Sequence, residues 1–188
     1  MTSTNVEPES VGMSSARLER FHPIMRSYVD KWGYAGIGVA VARRGHVVFH
    51  AQYGERDREA SLPMTEDTIF RIYSMTKPIV CVALMTLFEE GRIRLTDPVS
   101  RYLPAFGDLK VMADDGSLAG LTRPVTVRHL LTRGPGSVGE HGWPGAANTY
   151  FWVDPEERLV GLLMTQYMLG YAAPEQDLRA LVYQAIID

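Results

Sequence analysis

Apolar and polar positions follow two different periods in the first part of the chain. Behind a pair of serines, apolar residues recur every three or four positions, which predicts an amphipathic helix over residues 14–32. Residues 36–54 hold two β-branched runs around an Arg-Gly pair and predict an antiparallel hairpin on which this helix packs. A shorter run of the same kind predicts a strand over residues 68–72.

The middle of the chain is dominated by one strongly apolar segment, residues 79–88, followed by a Glu-Glu-Gly sequence. This pattern predicts a buried helix that begins at Ser74 and ends at the glycine. Residues 134–145 contain five glycines and two prolines and predict no regular element. The other predicted elements are a short helix over 125–131, a hairpin of strands 148–153 and 159–166, and a helix over 177–187.

The order of these elements predicts the fold class. Helices precede, separate and follow the hairpins, which favours an α+β protein whose antiparallel sheet is flanked by helices. The length of 188 residues fits a single domain over residues 1–188.

Composition excludes several kinds of partner. The net charge is -3, and no basic block is present that would neutralise phosphates, so no nucleic-acid partner is predicted. The single cysteine, Cys81, cannot form an intramolecular disulfide. The N-terminal residues lack the basic and apolar regions of a secretory signal, and no apolar segment reaches bilayer length. We therefore expect a cytoplasmic protein with no membrane partner.

Metal chemistry is not expected either. None of the five histidines has the close spacing of metal ligands, and neither an HExxH nor a CxxC motif occurs. The sequence predicts no metal ion and no cofactor.

Two side chains suggest nucleophilic catalysis. Ser74 and Lys77 stand three positions apart at the start of the predicted buried helix, so they share one face. A lysine desolvated beside the positive helix end loses its proton more readily and can then accept the serine proton. The same helix end stabilises negative charge on a substrate oxygen. The alternative is a capping serine followed by a lysine that extends into solvent.

Longer stretches around this pair resemble a known family. Residues 70–104 (FRIYSMTKPIVCVALMTLFEEGRIRLTDPVSRYLP) and 125–132 (VTVRHLLT) are similar to the nucleophile region of class C beta-lactamases and related esterases. Residues 141–167 resemble the family's third motif and the strand hairpin after it. The chain is thus similar to the serine beta-lactamase/penicillin-binding-protein family, closest to the class C beta-lactamase-like (family VIII) carboxylesterases. The resemblance implies a beta-lactamase/transpeptidase-like fold.

The resemblance also implies roles for individual residues. Ser74 and Lys77 correspond to the catalytic pair, and the backbone N–H groups of Ser74 and Ala146 correspond to the oxyanion hole. The triplet Trp143-Pro144-Gly145 stands where the lactamases have Lys-Thr-Gly and the esterases commonly have Trp-Gly-Gly, from which its proline departs. The residues expected to bind substrate are Tyr73, Trp143, Gly145 and Tyr150.

One family motif is missing. A tyrosine-x-asparagine sequence assists proton transfer in the family, but Asn5 and Asn148 are preceded two positions earlier by serine and alanine. Where the family has a long helical segment, this chain has a Gly-Pro-Gly-Ser connector, which indicates an engineered or natural deletion junction at residues 133–138. We therefore expect a fold that lacks most of the all-helical subdomain.

These observations lead to three functional hypotheses. The first is a serine hydrolase that cleaves short-chain carboxylic esters through an acyl-enzyme, weakly because the tyrosine is missing. The second is a catalytically silent protein of this fold that forms a homo-oligomer through the surface exposed by the deletion. Beta-lactam hydrolysis is a third and weaker hypothesis, because it depends more on the missing tyrosine. The expected partner of the enzyme is a small-molecule ester.

Overall fold

The chain folds into two compact units, which are Met1–Thr76 with Gly136–Asp188, and Lys77–Pro135. A computed structural model describes residues 6–112, 116–131, 141–168 and 174–187. Where the sequence predicts one domain over residues 1–188, this division gives two units, and each is described by itself. The deletion junction predicted at residues 133–138 lies outside the described residues.

The described residues form helices and antiparallel strands in the order expected of an α+β protein. The helices are α1 (Ser15–Leu18), α2 (Phe21–Trp32), α3 (Thr76–Glu89), α4 (Val127–Leu131) and α5 (Pro174–Ala185). The strands are β1 (Gly36–Arg43), β2 (His46–Asp57), β3 (Leu62–Pro63), β4 (Lys110–Met112), β5 (Leu118–Gly120), β6 (His141–Pro144), β7 (Tyr150–Asp154) and β8 (Leu159–Thr165). Short 3-10 turns connect several of them, including one at Tyr73–Met75.

The first unit is built on a six-stranded sheet with the order β3-β2-β1-β8-β7-β6. The predicted first hairpin is confirmed, because β1 and β2 pair across Arg44 (φ 52°) and Gly45 (φ 84°), which both have the left-handed backbone of a tight hairpin turn. The second hairpin, β7 and β8, is confirmed as well. Pairing of β1 with β8 joins the two hairpins in the middle of the sheet.

One face of this sheet packs against α2 and α5. The core there contains Phe21 and Met25 from α2, Leu178 and Val182 from α5, and Trp152 from β7. The indole of Trp152 lies directly over Gly161 of β8, where an added Cβ would stand 2.0 Å from the ring. A glycine at this position is therefore what allows the tryptophan to lie flat on the sheet.

The single helix predicted over residues 14–32 is two helices in the structure. Its continuation is blocked by Pro23, which has no backbone N–H and whose ring would clash with the carbonyl of Glu19 in an unbroken helix. The structure accommodates the proline in the first turn of α2, and α2 ends at Gly33 in the left-handed conformation (φ 79°).

The second unit contains α3, α4 and the β4–β5 hairpin. The helix predicted after Ser74 is confirmed, but its predicted burial is wrong. The side chains of Ile79, Val80 and Val82 are 60%, 58% and 68% exposed, and no residue of α3 is fully buried. A helix of apolar composition is buried only where neighbouring elements cover all of its faces.

Asp97 organises the loops of this unit. Its carboxylate accepts hydrogen bonds from the Arg94 backbone N–H (2.9 Å) and from the Tyr102 hydroxyl, and an Arg101 guanidinium nitrogen lies 3.4 Å away. The Tyr102 hydrogen bond, followed by the Arg94 amide, holds the pKa of Asp97 below its usual range. The backbone carbonyl of Asp97 also accepts from Val127, which fixes the start of α4.

Among residues 6–112, 116–131, 141–168 and 174–187, no helix combines the length and the apolar character needed to cross a bilayer.

The buried Arg43 predicts how the first unit is stabilised. Its guanidinium donates to the carbonyls of Val11 (3.1 Å) and Gly12 (2.7 Å) and pairs with Glu157 at 2.9 Å, and the residue is only 3% exposed. Since a buried unpaired carbonyl costs about 1–3 kcal/mol, we expect Arg43→Met to lower the free energy of unfolding by roughly 2–4 kcal/mol. Urea denaturation followed by tryptophan fluorescence measures it, because all three tryptophans belong to this unit.

A matched control separates the carbonyl contacts from the ion pair. Glu157→Gln removes the charge of a side chain that is 39% exposed, so a loss below about 1 kcal/mol is expected. Equal losses in the two variants would show that the ion pair, rather than the two carbonyls, accounts for the stabilisation.

Candidate active site

Ser74 lies in the 3-10 turn Tyr73–Met75, immediately before α3. Tyr73 has a φ of 47°, in the left-handed region that a bulky non-glycine residue rarely adopts. Such backbone strain costs about 1–3 kcal/mol and persists only where the surrounding contacts enforce it. Met75 is buried and Ser74 half-buried, while the Tyr73 side chain is 42% exposed. The turn therefore fixes Ser74 between a buried anchor and an exposed aromatic side chain.

Lys77 is the second residue of α3 and is followed by Pro78 in the same first turn. The proline is tolerated there because the first backbone N–H groups of a helix have no partner within it. Lys77 itself is exposed, so the described residues do not bury its amine as the sequence predicts. Two features still support Lys77 as the base, namely its spacing from Ser74 and its place at the N-terminus of α3.

The segment before Ser74 is held by a side chain rather than by a strand. Residues 68–72 form no strand, contrary to the prediction, and Ile69 is 95% exposed. The Gln166 amide instead accepts from the Arg71 backbone N–H (3.1 Å) and donates to the Arg71 carbonyl (3.0 Å). One amide thus reproduces the pairing that a neighbouring strand would give. No local sequence pattern predicts this contact, because Gln166, the residue directly after β8, is 95 positions from Arg71 in the sequence.

The triplet Trp143-Pro144-Gly145 forms the end of β6 and the residue after it. Residues 141–144 are therefore a strand, although their glycine and proline content predicted none. Among the described strands, β6 pairs only with β7 and is therefore an edge strand. A proline is tolerated there because one side of the strand donates no ladder hydrogen bonds. The departure from the esterase pattern at Pro144 is accommodated without loss of the strand.

Gly145 brings this strand end against the segment of the nucleophile. A Cβ added at Gly145 would lie 2.6 Å from the Ile72 carbonyl oxygen and 2.0 Å from Thr149 Oγ1. The Thr149 hydroxyl lies 3.5 Å from the same carbonyl oxygen. Gly145 precedes Ala146, and Ile72 precedes Ser74 by two residues, so the segments that carry both predicted oxyanion-hole amides lie next to each other.

Tyr150 is not brought together with Trp143. Its ring stacks on Trp152 with centroids 6.0 Å apart, and its hydroxyl accepts from Arg179 of α5 at 3.4 Å. Alternate residues of paired strands point to opposite faces, which places Trp143, paired with Phe151, on the other side of the sheet. The prediction that Tyr150 binds substrate is therefore corrected: its side chain packs on the face that holds α5.

The turn after Gly145 contains residues that the sequence did not single out. Asn148 has a left-handed backbone (φ 58°), and its amide donates to the Tyr34 hydroxyl at 3.1 Å. Asparagine adopts this conformation more readily than most residues, which is the only sequence signal for such a position.

No group of three or more potential metal-binding side chains occurs in the part of the chain that the structure describes.

Comparison with known proteins relates this chain to one family. The model of the "Beta-lactamase" family matches residues 21–133. Esterase EstB of Burkholderia gladioli is 36% identical over 152 residues, covering 80% of this chain and 36% of the esterase. Penicillin-binding protein 4* of Bacillus subtilis is 25% identical over 87% of this chain and 33% of its own. The chain thus spans about a third of the length of these curated relatives.

Among solved structures, EstCE1, described as a hydrolase with promiscuous acyltransferase activity, has 32% identity and a TM-score of 0.52 over 61% of this chain and 28% of its own. Its likeness supports the beta-lactamase/transpeptidase-like fold, and the family match covers more than half of the chain. This chain belongs to the beta-lactamase family, in the serine beta-lactamase and penicillin-binding-protein group that includes these esterases.

Proposed function

We propose that this chain is a serine hydrolase that cleaves short-chain carboxylic esters through an acyl-enzyme on Ser74. The observation that supports it most is the strained Tyr73–Met75 turn, which presents Ser74 at the start of α3 beside the edge strand β6. The similarity to Esterase EstB favours an ester over a beta-lactam as the substrate.

The proposed reaction has two halves. Ser74 Oγ attacks the ester carbonyl carbon while its proton passes to Lys77 Nζ, and the resulting oxyanion is stabilised by the backbone N–H groups of Ser74 and Ala146. The carbon–oxygen bond to the alcohol then breaks, and the alcohol departs with the proton. Water adds to the acyl carbon and loses a proton to the same amine. The bond between this carbon and Ser74 Oγ then breaks, Oγ takes the proton from Lys77, and the carboxylic acid leaves.

The substrate contacts in this proposal come from one side of the edge strand. Trp143 and the exposed ring of Tyr73 supply apolar surface for a short acyl group, and Gly145 leaves room beside the nucleophile segment. Tyr150 has no part in it.

A catalytically silent protein of the same fold is the second candidate. It is favoured by the exposed apolar side chains of α3 and by the missing tyrosine-x-asparagine sequence. Labelling of Ser74 by a fluorophosphonate distinguishes the two, because only an activated serine reacts rapidly.

Ser74→Ala is expected to abolish both fluorophosphonate labelling and hydrolysis of 4-nitrophenyl butyrate, since Ser74 is the only serine with a lysine three positions later. Ser27→Ala is the matched control, because Ser27 is a half-buried serine of the same unit whose hydroxyl donates only to the Ile24 carbonyl. Turnover by Ser74→Ala at the rate of the parent chain would refute the assignment.

Lys77→Ala is expected to lose about 10²–10⁴ in rate, the range that general base assistance contributes. Lys77→Arg is the sharper variant, because arginine retains the positive charge but does not deprotonate in proteins. Equal loss in both variants identifies a base, whereas activity in Lys77→Arg would assign Lys77 an electrostatic role. Lys110→Ala serves as the control for loss of an exposed lysine.

Rates across esters with leaving groups of graded pKa test the effect of the missing tyrosine. We expect a steep dependence, with activated phenyl esters cleaved and alkyl esters nearly inert, because the tyrosine that assists proton transfer in the family is missing here. A flat dependence would show that another residue supplies that proton.

A further inference from the structure

The turn that carries Ala146 is connected to the core by a side-chain hydrogen bond from Asn148. The backbone N–H of Gly145 donates to the Thr149 carbonyl (2.7 Å), and the backbone N–H of Asn148 donates to the Gly145 carbonyl (3.1 Å). The turn is therefore closed by its own backbone. Asn148 completes it with a φ of 58°. Glycine would adopt this conformation without strain, yet the chain has an asparagine there. The asparagine side chain is therefore the part of this residue that needs an explanation.

That side chain ends on a buried phenol. Asn148 Nδ2 donates to the Tyr34 hydroxyl at 3.1 Å, and Tyr34 is fully buried. The ring of Tyr34 lies edge-on to Tyr28 with centroids 5.6 Å apart and against Tyr167 at 4.4 Å. Burial raises the pKa of Tyr34, so its hydroxyl stays neutral, and the oxygen of this neutral phenol accepts from the asparagine.

The position of Tyr34 is fixed by the end of α2. Gly33 closes that helix in the left-handed conformation, and the Tyr34 amide donates back to the Tyr28 carbonyl at 3.3 Å. The contact therefore connects the turn at residues 145–149 to the core formed by α2. A second link is backbone to backbone, because the Tyr167 amide donates to the Ala147 carbonyl at 3.2 Å.

We propose that Tyr34, through its hydrogen bond with Asn148, is a positioning residue that holds the Ala146 N–H where the oxyanion forms. This inference rests on the proposed esterase function. Tyr34 does not touch substrate: it restricts a turn whose amide must already point at the developing charge, because a preorganised donor pays no reorganisation cost during the reaction. Loss of this bond therefore slows the chemical step and leaves substrate binding unchanged.

The test compares Tyr34→Phe, Asn148→Gly and the double variant. Phenylalanine keeps the ring packing but lacks the hydroxyl, and glycine keeps the left-handed backbone but lacks the amide. Tyr167→Phe is the matched control, since it removes a hydroxyl from the neighbouring ring without removing a hydrogen bond to Asn148. We expect each single variant to lower kcat for 4-nitrophenyl butyrate roughly tenfold, less than the 10²–10³ that follows loss of a whole oxyanion donor, with KM unchanged.

Coupling between the two residues provides the decisive readout. Because both single variants break one bond, the double variant is expected to be no slower than either alone. Effects that multiply in the double variant, an unchanged kcat in Tyr34→Phe, or a rise in KM in place of the fall in kcat would each overturn the proposal. A general loss of stability would not produce this pattern, and thermal unfolding of all four variants detects such a loss.

A measurement that does not need turnover separates this proposal from the function on which it rests. The amide NMR signal of Ala146 is expected to shift in Tyr34→Phe and in Asn148→Gly but not in Tyr167→Phe. If the parent chain and Ser74→Ala both fail to react with a fluorophosphonate, the esterase assignment fails. An Ala146 signal that does not move in Tyr34→Phe refutes the anchor itself, whatever the activity.

Discussion

The pairing of β1 with β8 is the contact on which the rest of the first unit depends. These strands belong to hairpins that are far apart in the sequence, and the ladder runs from Ile37 opposite Thr165 to Arg43 opposite Leu159. Such non-local pairing is entropically costly to form, so it requires a large buried surface on the resulting sheet. The α2 and α5 side chains provide that surface, with Trp152 lying over Gly161 at its centre.

The geometry of the candidate site is a consequence of this closure. Once the hairpins pair, the segment before Ser74 reaches Gln166 at the end of β8 and Gly145 beyond β6. The strained backbone at Tyr73 is held between these contacts and the buried Met75. A serine presented in this way depends on residues from both ends of the chain, although the pair Ser74 and Lys77 is local in sequence.

Local sequence patterns predict most helices and strands, and the predictions are wrong where contacts with distant residues decide the structure. Periodicity and turn residues predict both hairpins and α3, but the apolar period alone does not show that Pro23 breaks the first helix. Residues 68–72 have the composition of a strand and are satisfied by Gln166 instead. No local pattern shows that Tyr150 faces α5, or that Asn148 meets Tyr34, because both depend on which distant element lies opposite.

The two outermost strands of the sheet are short, and each ends in a proline: β3 at Pro63 and β6 at Pro144. An edge strand offers unpaired amides to any other extended chain, and proline removes one of those donors. The long strands β1 and β8 lie between two neighbours, whereas β2 is covered by β3 only at Glu55 and Asp57. Each of these two short edge strands therefore offers one donor fewer to another extended chain, and one of the two prolines is the residue that departs from the third motif of the esterases.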